Sequence, residues 1–426
     1  MSGSSPRPSY AALLRIPHAR RTFAAALTGR LSYGLVSLAM MLTTARATGS
    51  YAVAGTVMAL FGAASVFLSP ARAALIDRHG ARRALIPMAS LYAGLLTAFA
   101  AVAWRPGAPA LAIGALAVAA GTCTPPLGPT MRTVWSRMVP DEKLLQRAYS
   151  LDGVLEEILF VSGPLLVGAV VQWAPPAAAV ALSALLVWSG TLAFVLSPAV
   201  AGVRPATAKA AHPGPRGLGV RALARPVVVA LGVGLSLGAV DLLVMAFAEQ
   251  HHHRTDTVAW VLAALSLGSA LGGLLNGAVD WRLSPGARLP LTAGGLGLAL
   301  LAAALAPGLG TLTAAVACAG FFVAPALTTS YLVADAAAPS DFRTQAGAWV
   351  NTAVNAGSSG GAAGVGLMVG HVPLGWCFAI SGAVSLTAAL VSLCTAPMAP
   401  TAPGASAAGR EAGPEVTPEG AEPSRV

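Results

Sequence analysis

The chain has 426 residues, of which 56% are hydrophobic and only 10% are charged. Soluble proteins carry about 25% charged residues, so this composition excludes a soluble globular protein and predicts an integral membrane protein. The net charge of +10 does not indicate nucleic-acid binding, because the basic residues lie in short segments between apolar runs, where they set membrane topology.

Twelve apolar runs of about 20 residues, the length that crosses a bilayer, follow one another along the chain. With the N-terminus in the cytoplasm, 22 Lys and Arg residues fall on the cytoplasmic side and 3 on the outer side. The positive-inside rule therefore predicts that both termini are cytoplasmic. The runs lie near residues 24–45, 51–70, 84–104, 109–135, 148–172, 176–197, 226–248, 257–279, 288–306, 310–333, 345–369 and 373–395.

An internal repeat divides these runs into two sets of six. A shift of 199 residues places spans four and five on spans ten and eleven, and polar positions remain polar. Such a constant offset indicates duplication. The sequence thus predicts an all-α membrane protein with twelve transmembrane helices in two six-helix pseudo-repeats. The shift superposes Pro126 on Pro325, Asp152 on Asn351 and Glu156 on Asn355.

The predicted organisation has five parts. Residues 1–22 form a cytoplasmic segment, 23–199 the N-terminal half and 226–396 the C-terminal half. Residues 200–225, rich in Ala, Pro, Gly and Arg, form a cytoplasmic linker. Residues 397–426, rich in Pro, Ala, Gly and Glu, are predicted to be a disordered cytoplasmic tail.

A motif follows the second span and reads Ala73-Ala-Leu-Ile-Asp77-Arg78-His-Gly80-Ala-Arg82-Arg83. With the twelve spans and the basic linker, it resembles the major facilitator superfamily over about Arg20 to Pro397. The resemblance implies that substrate binds near the bilayer midplane between the halves. It also implies that Asp77, Arg78, Gly80, Arg82 and Arg83 belong to a cytoplasmic gate closed by a charge pair. Ala73 departs from the family's usual Gly, and the alternative is a topology-setting loop whose Asp caps a helix.

The sequence Gly163-Pro164-Leu-Leu-Val-Gly168 partly resembles the fifth-span signature of the superfamily's drug–proton antiporters. A second adjacent Gly and the upstream glycines of that signature are missing. The resemblance suggests a bacterial, drug-efflux-like branch of the family. The alternative is a kink and a packing notch without a part in antiport.

The fifth span carries three carboxylates, at Asp152, Glu156 and Glu157. A charge at mid-bilayer costs about 2.5–3.5 kcal/mol, so these residues are expected to face a partner or a water-filled cavity. Asp152 and Glu156 share one helix face with Gly163, and Glu157 points about 100° away. We expect Glu156 to carry a proton during transport; the roles of Glu156 and Glu157 exchange if the cavity lies on the other face. The alternative is a fixed hydrogen bond to a neighbouring helix.

Other polar side chains inside apolar runs are candidates for the cavity. Arg132 is expected to neutralise Asp152 on the next span, or to extend to the cytoplasmic interface. Arg30 faces the cavity or extends inward in the same way. Asp241, in the outer half of span seven, lines the cavity or contacts a neighbouring helix. Asn351 and Asn355 contact substrate or form interhelical hydrogen bonds.

The sequence contains no catalytic motif and no nucleotide-binding loop, so we expect a protein that is not an enzyme and has no metal or cofactor. The leading hypothesis is a monomeric secondary transporter in a bacterial plasma membrane. It would export a small neutral or cationic organic molecule in exchange for protons, by alternating access. The alternatives are a proton-coupled importer and a membrane sensor or scaffold that does not transport.

Overall fold

The computed structural model describes residues 9–201, 220–252 and 255–395 and is almost entirely helical there. Within these residues, twelve long helical segments, numbered here as spans one to twelve, follow the chain. Their bounds are Ala19–Thr48, Tyr51–His79, Ala81–Val102, Ala110–Met138, Glu142–Val171, Pro176–Val195, Val220–Gln250, Thr255–Ala278, Pro285–Ala304, Leu309–Ala337, Arg343–Met368 and Leu374–Cys394. Eleven are long and apolar enough to cross a membrane; the more polar span eleven has 26 residues.

This architecture confirms the predicted fold class of twelve helices in two six-helix halves. Most of the predicted linker, and all of the predicted tail, lie outside the described residues. The helix of span seven begins at Val220, inside the predicted linker, and continues through Pro226. A short helix, Tyr10–Arg15, precedes span one, and a single turn at Ser340–Phe342 precedes span eleven.

Two spans in the first half are interrupted. Span two consists of helices Tyr51–Phe67 and Ser69–His79, and span four of helices Ala110–Cys123 and Leu127–Met138. The break in span four lies at Thr124-Pro125-Pro126, because proline has no N–H with which to continue the helix. Discontinuous membrane helices expose main-chain polar groups, and these are found where they line a cavity.

The hydrophobic cores show where the two halves touch. One core belongs to the first half and includes Leu96 and Phe99, and a second belongs to the second half and includes Leu243 and Leu300. A third core, which includes Trp135 and Val350, combines residues of both halves. The residues of this shared core lie near the starts of spans one and seven and the end of span ten, a region called here the terminus end. The halves are therefore packed together at this terminus end.

Glycines bring spans together within each half, and the two halves repeat the same contact. In the first half, Gly34 of span one lies against Gly163 and the carbonyl of Leu159 in span five. In the second half, Gly238 of span seven lies against the carbonyl of Ser358 in span eleven. Side chains at these glycines would strike main-chain atoms, so small residues are required for the close approach.

Polar contacts also seal the terminus end between the halves. The Thr133 and Thr344 hydroxyls are 3.1 Å apart, and the Arg147 Nη2 to Asp280 Oδ1 distance is also 3.1 Å. Before span one, the Tyr10 hydroxyl donates to the carbonyl oxygen of Leu274 at 2.8 Å. The structure thus shows a state that is closed at the terminus end.

Candidate functional site

A cavity of about 560 Å³ lies between the two halves and is called here the central cavity. It is lined by spans four and five of the first half and by spans seven, eight, ten and eleven of the second. Its charged lining residues are Arg132, Glu156, Glu157 and Asp241. A polar cavity between two similar halves is suited to alternating access.

Four charged residues form one cluster beside this cavity, the charged quartet of Arg30, Arg132, Asp152 and Glu156. Arg30 contacts Asp152 Oδ1 at 2.6 Å and Glu156 Oε2 at 2.8 Å. Arg132 contacts Asp152 Oδ2 at 3.0 Å and Glu156 Oε2 at 2.6 Å. The quartet joins spans one, four and five, and its two positive and two negative charges balance each other.

The position of Arg30 excludes the inward extension that the sequence left open. Span one begins at Ala19, five residues earlier than predicted, so Arg30 lies about 17 Å along the helix. Its side chain is only 2% exposed and that of Arg132 only 5%. Both guanidinium groups therefore remain buried and paired instead of reaching the interface.

Two tyrosines, Tyr331 and Tyr149, also contact Arg132. The Arg132 guanidinium carbon lies 3.8 Å from the centre of the Tyr331 ring, a cation–π contact across the two halves. The Tyr331 hydroxyl donates to Asn351 Oδ1 at 3.4 Å, and Tyr149 donates to the carbonyl of Arg132 at 3.1 Å. The sequence analysis overlooked Tyr331, although the repeat offset of 199 residues makes it the second-half equivalent of Arg132.

Glu157 differs from its neighbour Glu156 in its surroundings. The Ser269 hydroxyl of span eight donates to Glu157 Oε1, and Oε2 is buried without a hydrogen-bond partner. Among the described residues, Glu157 forms no salt bridge. Both glutamates line the central cavity, so the choice of one face, on which the sequence argument depended, does not separate them.

The ion pairs of Glu156 bear on the proton-carrying role expected of it from the sequence. A proton carrier must lose its charge during the cycle, and removing the Glu156 charge would leave the two quartet guanidinium groups facing a single carboxylate. Glu157 gains or loses a charge without breaking an ion pair among the described residues. Of the two glutamates, Glu157 is therefore the one without a counter-charge among the described residues.

The remaining polar candidates lie in the second half. Asp241 and Asn355 are exposed residues of the cavity wall, and Asn355 Nδ2 also donates to the Asn351 carbonyl at 2.8 Å. Asn351 lines the cavity and accepts from Tyr331. Asn351 thus forms an interhelical hydrogen bond and lines the cavity, whereas the hydrogen bond of Asn355 lies within span eleven. Substrate contact stays a prediction for both amides.

The gate motif is not a loop: it consists of the end of one helix, a single glycine and the start of the next helix. Asp77 lies in helix Ser69–His79, and Gly80, with a φ of 86°, is the single residue before the next helix. This left-handed conformation favours glycine. Arg78, Arg82 and Arg83 are exposed.

The partner of Asp77 belongs to the other half. Asp77 Oδ2 accepts a hydrogen bond from the main-chain N–H of Gln345, the third residue of span eleven, at 2.9 Å. No salt bridge to Asp77 exists among the described residues. The expected charge pair is therefore replaced by a contact between a carboxylate and the positive N-terminal end of a helix.

The two glycines of the fifth-span motif have unequal surroundings. A Cβ at Gly163 would overlap the main chain of Gly34, whereas a Cβ at Gly168 would have nothing within 4 Å. Pro164 lies within the continuous helix Glu142–Val171. Gly163 thus has a packing function at the contact of spans one and five.

These features define a helical membrane protein of the transporter class, built as two similar halves around a central polar cavity. The chain belongs to the Major Facilitator Superfamily, because the profile of that family matches residues 22–307 and 227–423. No curated protein matches the chain.

Solved structures share the fold at low sequence identity. The chain is similar to the fucose:proton symporter FucP of E. coli, with a TM-score of 0.69 and 14% identity over 91% of this chain and 100% of that one. A bacterial homologue of the iron transporter ferroportin, in an outward-facing state, gives 0.66 and 14% over 88% and 97%. The human organic anion transporter MFSD10 gives 0.66 and 15% over 88% and 99%.

Proposed function

We propose that this protein is a proton-coupled exporter of small, positively charged organic molecules. It works by alternating access as a monomer in a bacterial plasma membrane, with both termini in the cytoplasm. The terminus end is then the cytoplasmic end, in agreement with the excess of basic residues predicted there. The closed terminus end corresponds to a state that opens to the outside.

The observation that carries this proposal is the carboxyl group of Glu157 in the wall of the central cavity, which has no counter-charge among the described residues. A charged carboxylate within the membrane needs a compensating cation or a proton. Substrate ammonium and proton therefore compete for the same group. Such competition produces exchange, and an inward proton gradient then drives the substrate out.

Ser269 connects this exchange to the movement of the halves. Glu157 belongs to span five and Ser269 to span eight, so their hydrogen bond crosses the interface between the halves. A substrate cation that takes over the carboxylate competes with this bond. Binding thereby weakens one contact of the closed state, and this is the differential interaction that a conformational shift requires.

Asp241 supplies a second negative charge on the opposite wall. It lies on span seven, is exposed to the cavity and forms no salt bridge among the described residues. The quartet is internally balanced and adds no net charge. The central cavity therefore has a negative surplus from Glu157 and Asp241, which favours cations over anions.

The test is transport of tetraethylammonium, a small permanent cation, by the purified protein in proteoliposomes under a pH gradient. Wild type should accumulate the cation against its gradient, and Glu157→Gln should abolish accumulation and weaken exchange at equal pH, because Gln supplies neither the charge that holds the cation nor a proton to release. Ser266→Ala, which alters another lining residue of the same cavity, is the control and should accumulate normally. Full gradient-driven accumulation by Glu157→Gln would contradict the proposal.

A further inference from the structure

A second cavity, of about 260 Å³, adjoins the central cavity and is called here the side cavity. Glu156, Phe160, Asn351 and Asn355 line both cavities, so the two are compartments of one space. Most of the side cavity's wall comes from spans one to five of the first half. A molecule held at Glu157 therefore has a second compartment beside it.

The side cavity contains a buried cation without a counter-charge. Arg72, which is 6% exposed, donates from Nη1 to the carbonyls of Gly121 at 2.9 Å and Thr122 at 3.1 Å. Its Nη2 donates to the carbonyl of Ser65, and its Nε has no hydrogen-bond partner. No described carboxylate forms a salt bridge with it. A buried charge is normally paired, so Arg72 leaves an uncompensated positive charge at this wall.

The same wall contains a buried hydroxyl group without a partner. Tyr92 is 0% exposed, and its Oη forms no hydrogen bond of good geometry with the described residues, although the Thr124 hydroxyl lies close to it. Thr124, which also lines the cavity, donates its hydroxyl to the carbonyls of Ala120 and Gly121. A buried tyrosine hydroxyl usually has a partner, so Tyr92 offers a free donor close to Arg72.

We infer that the side cavity binds the carboxylate of a substrate whose ammonium group is held at Glu157 and Asp241. This inference rests on the proposed function and specifies its substrate class: molecules with an ammonium and a carboxylate at opposite ends, such as amino acids or short peptides. Apart from the balanced quartet, the central cavity has two unpaired carboxylates and the side cavity one unpaired guanidinium, and this arrangement is complementary to such a molecule.

This assignment revises an argument made from the sequence. The sequence led us to expect a neutral or cationic substrate, and few basic residues were placed inside the apolar runs. In the structure, three arginines are buried beside the two cavities: Arg30, Arg72 and Arg132. Arg72 was overlooked because span two was predicted to end near residue 70, whereas its helices continue to His79.

The experiment compares matched probes on the full-length protein in lipid nanodiscs by calorimetry. ε-Aminocaproate contains both charged groups, hexylamine only the ammonium and caproate only the carboxylate; γ-aminobutyrate and butylamine repeat the comparison at a shorter length. Wild type should bind ε-aminocaproate or γ-aminobutyrate at least about 10-fold more tightly than the matched amine, since a hydrogen-bonded charge adds that much. The preferred length reports the separation of the two groups.

Tyr92→Phe identifies the compartment that binds the carboxylate. It should weaken binding of the preferred amino acid about 10-fold, leave binding of the amine unchanged, and lower the melting temperature of the free protein little, because the lost hydroxyl makes no hydrogen bond of good geometry. Tyr51→Phe, at a 74% exposed tyrosine that lines neither cavity, is the control and should change nothing.

The outcomes separate this inference from the proposed function. If the amines bind and the amino acids bind no more tightly, the carboxylate compartment is wrong and the cation site stands. If Tyr92→Phe binds the amino acid as wild type does, the assignment to the side cavity is wrong, and Arg72 only holds the broken ends of spans two and four together. If no probe binds, the inference fails, whereas the proposed function is judged by tetraethylammonium transport.

Discussion

The charged quartet of the first half has a neutral counterpart in the second. The repeat offset of 199 residues relates Arg132 to Tyr331, and the matching glycine contacts of spans one and seven relate Arg30 to Gly234. The first half uses four charges to join spans one, four and five, and the second half uses a tyrosine–amide network and a glycine contact. The equivalent positions are Arg30 and Gly234, Arg132 and Tyr331, Asp152 and Asn351, and Glu156 and Asn355.

The charged residues of the first half are of two kinds: those that form ion pairs between helices, and those that have no ion pair among the described residues. A carboxylate in a membrane span need not be a proton carrier, because charged side chains of neighbouring helices can balance it, as they do in the quartet. In the proposed function, the charges available for exchange lie outside the quartet, at Glu157 and Asp241. Adjacent residues, Glu156 and Glu157, therefore have opposite expected roles.

The largest expected effect comes from removing one charge of the quartet. Asp152→Asn, which introduces the residue of the second-half counterpart, leaves two buried guanidinium groups with one carboxylate and should cost about 3–5 kcal/mol of stability. Thermal unfolding in detergent measures the loss. Asp241→Asn, the same substitution at an exposed and unpaired cavity residue, is the control and should unfold near the wild-type temperature. Equal melting temperatures for both variants would show that the quartet is not a structural unit.

The fold could be predicted from the sequence more fully than the contacts of the candidate site. Hydropathy and charge asymmetry predicted the twelve spans, and the repeat predicted the halves, because these signals are local or periodic. They did not reveal Ser269 beside Glu157 or Tyr331 beside Arg132, since these contacts join different halves of the fold. The partner of Asp77 was overlooked for another reason: it is a main-chain N–H, which leaves no mark on residue identity.

The next largest effect concerns the glycine contacts that both halves share. Gly163→Ala would place a methyl group in the main chain of Gly34 and should cost about 1–3 kcal/mol by overpacking. Gly168→Ala, on the same helix with open space around it, should be neutral or slightly stabilising. Melting temperatures of the two variants, measured together, test the assignment; a loss of similar size in both would indicate helix flexibility instead of close packing.

A smaller effect is expected at the gate, where one half caps a helix of the other. Asp77→Ala removes the acceptor for the Gln345 N–H and its charge at the start of span eleven, a contribution of about 1 kcal/mol. The terminus end should therefore open about 5-fold more often. Spin-label distances between the halves at that end measure the shift, with Arg78→Gln at an exposed motif position as control. An unchanged distance distribution in Asp77→Ala would reduce the motif to a topology signal.

The most direct test of the central claim counts the protons released when a cation binds. Calorimetric titration of tetraethylammonium, repeated in buffers of different ionisation enthalpy, gives this number for wild type, Glu156→Gln and Glu157→Gln. If Glu157 is the exchanging group, wild type and the folded fraction of Glu156→Gln release the same number of protons, up to about one per bound cation, and Glu157→Gln releases none. Release that persists in Glu157→Gln and disappears in Glu156→Gln would contradict the account and return the proton to the quartet.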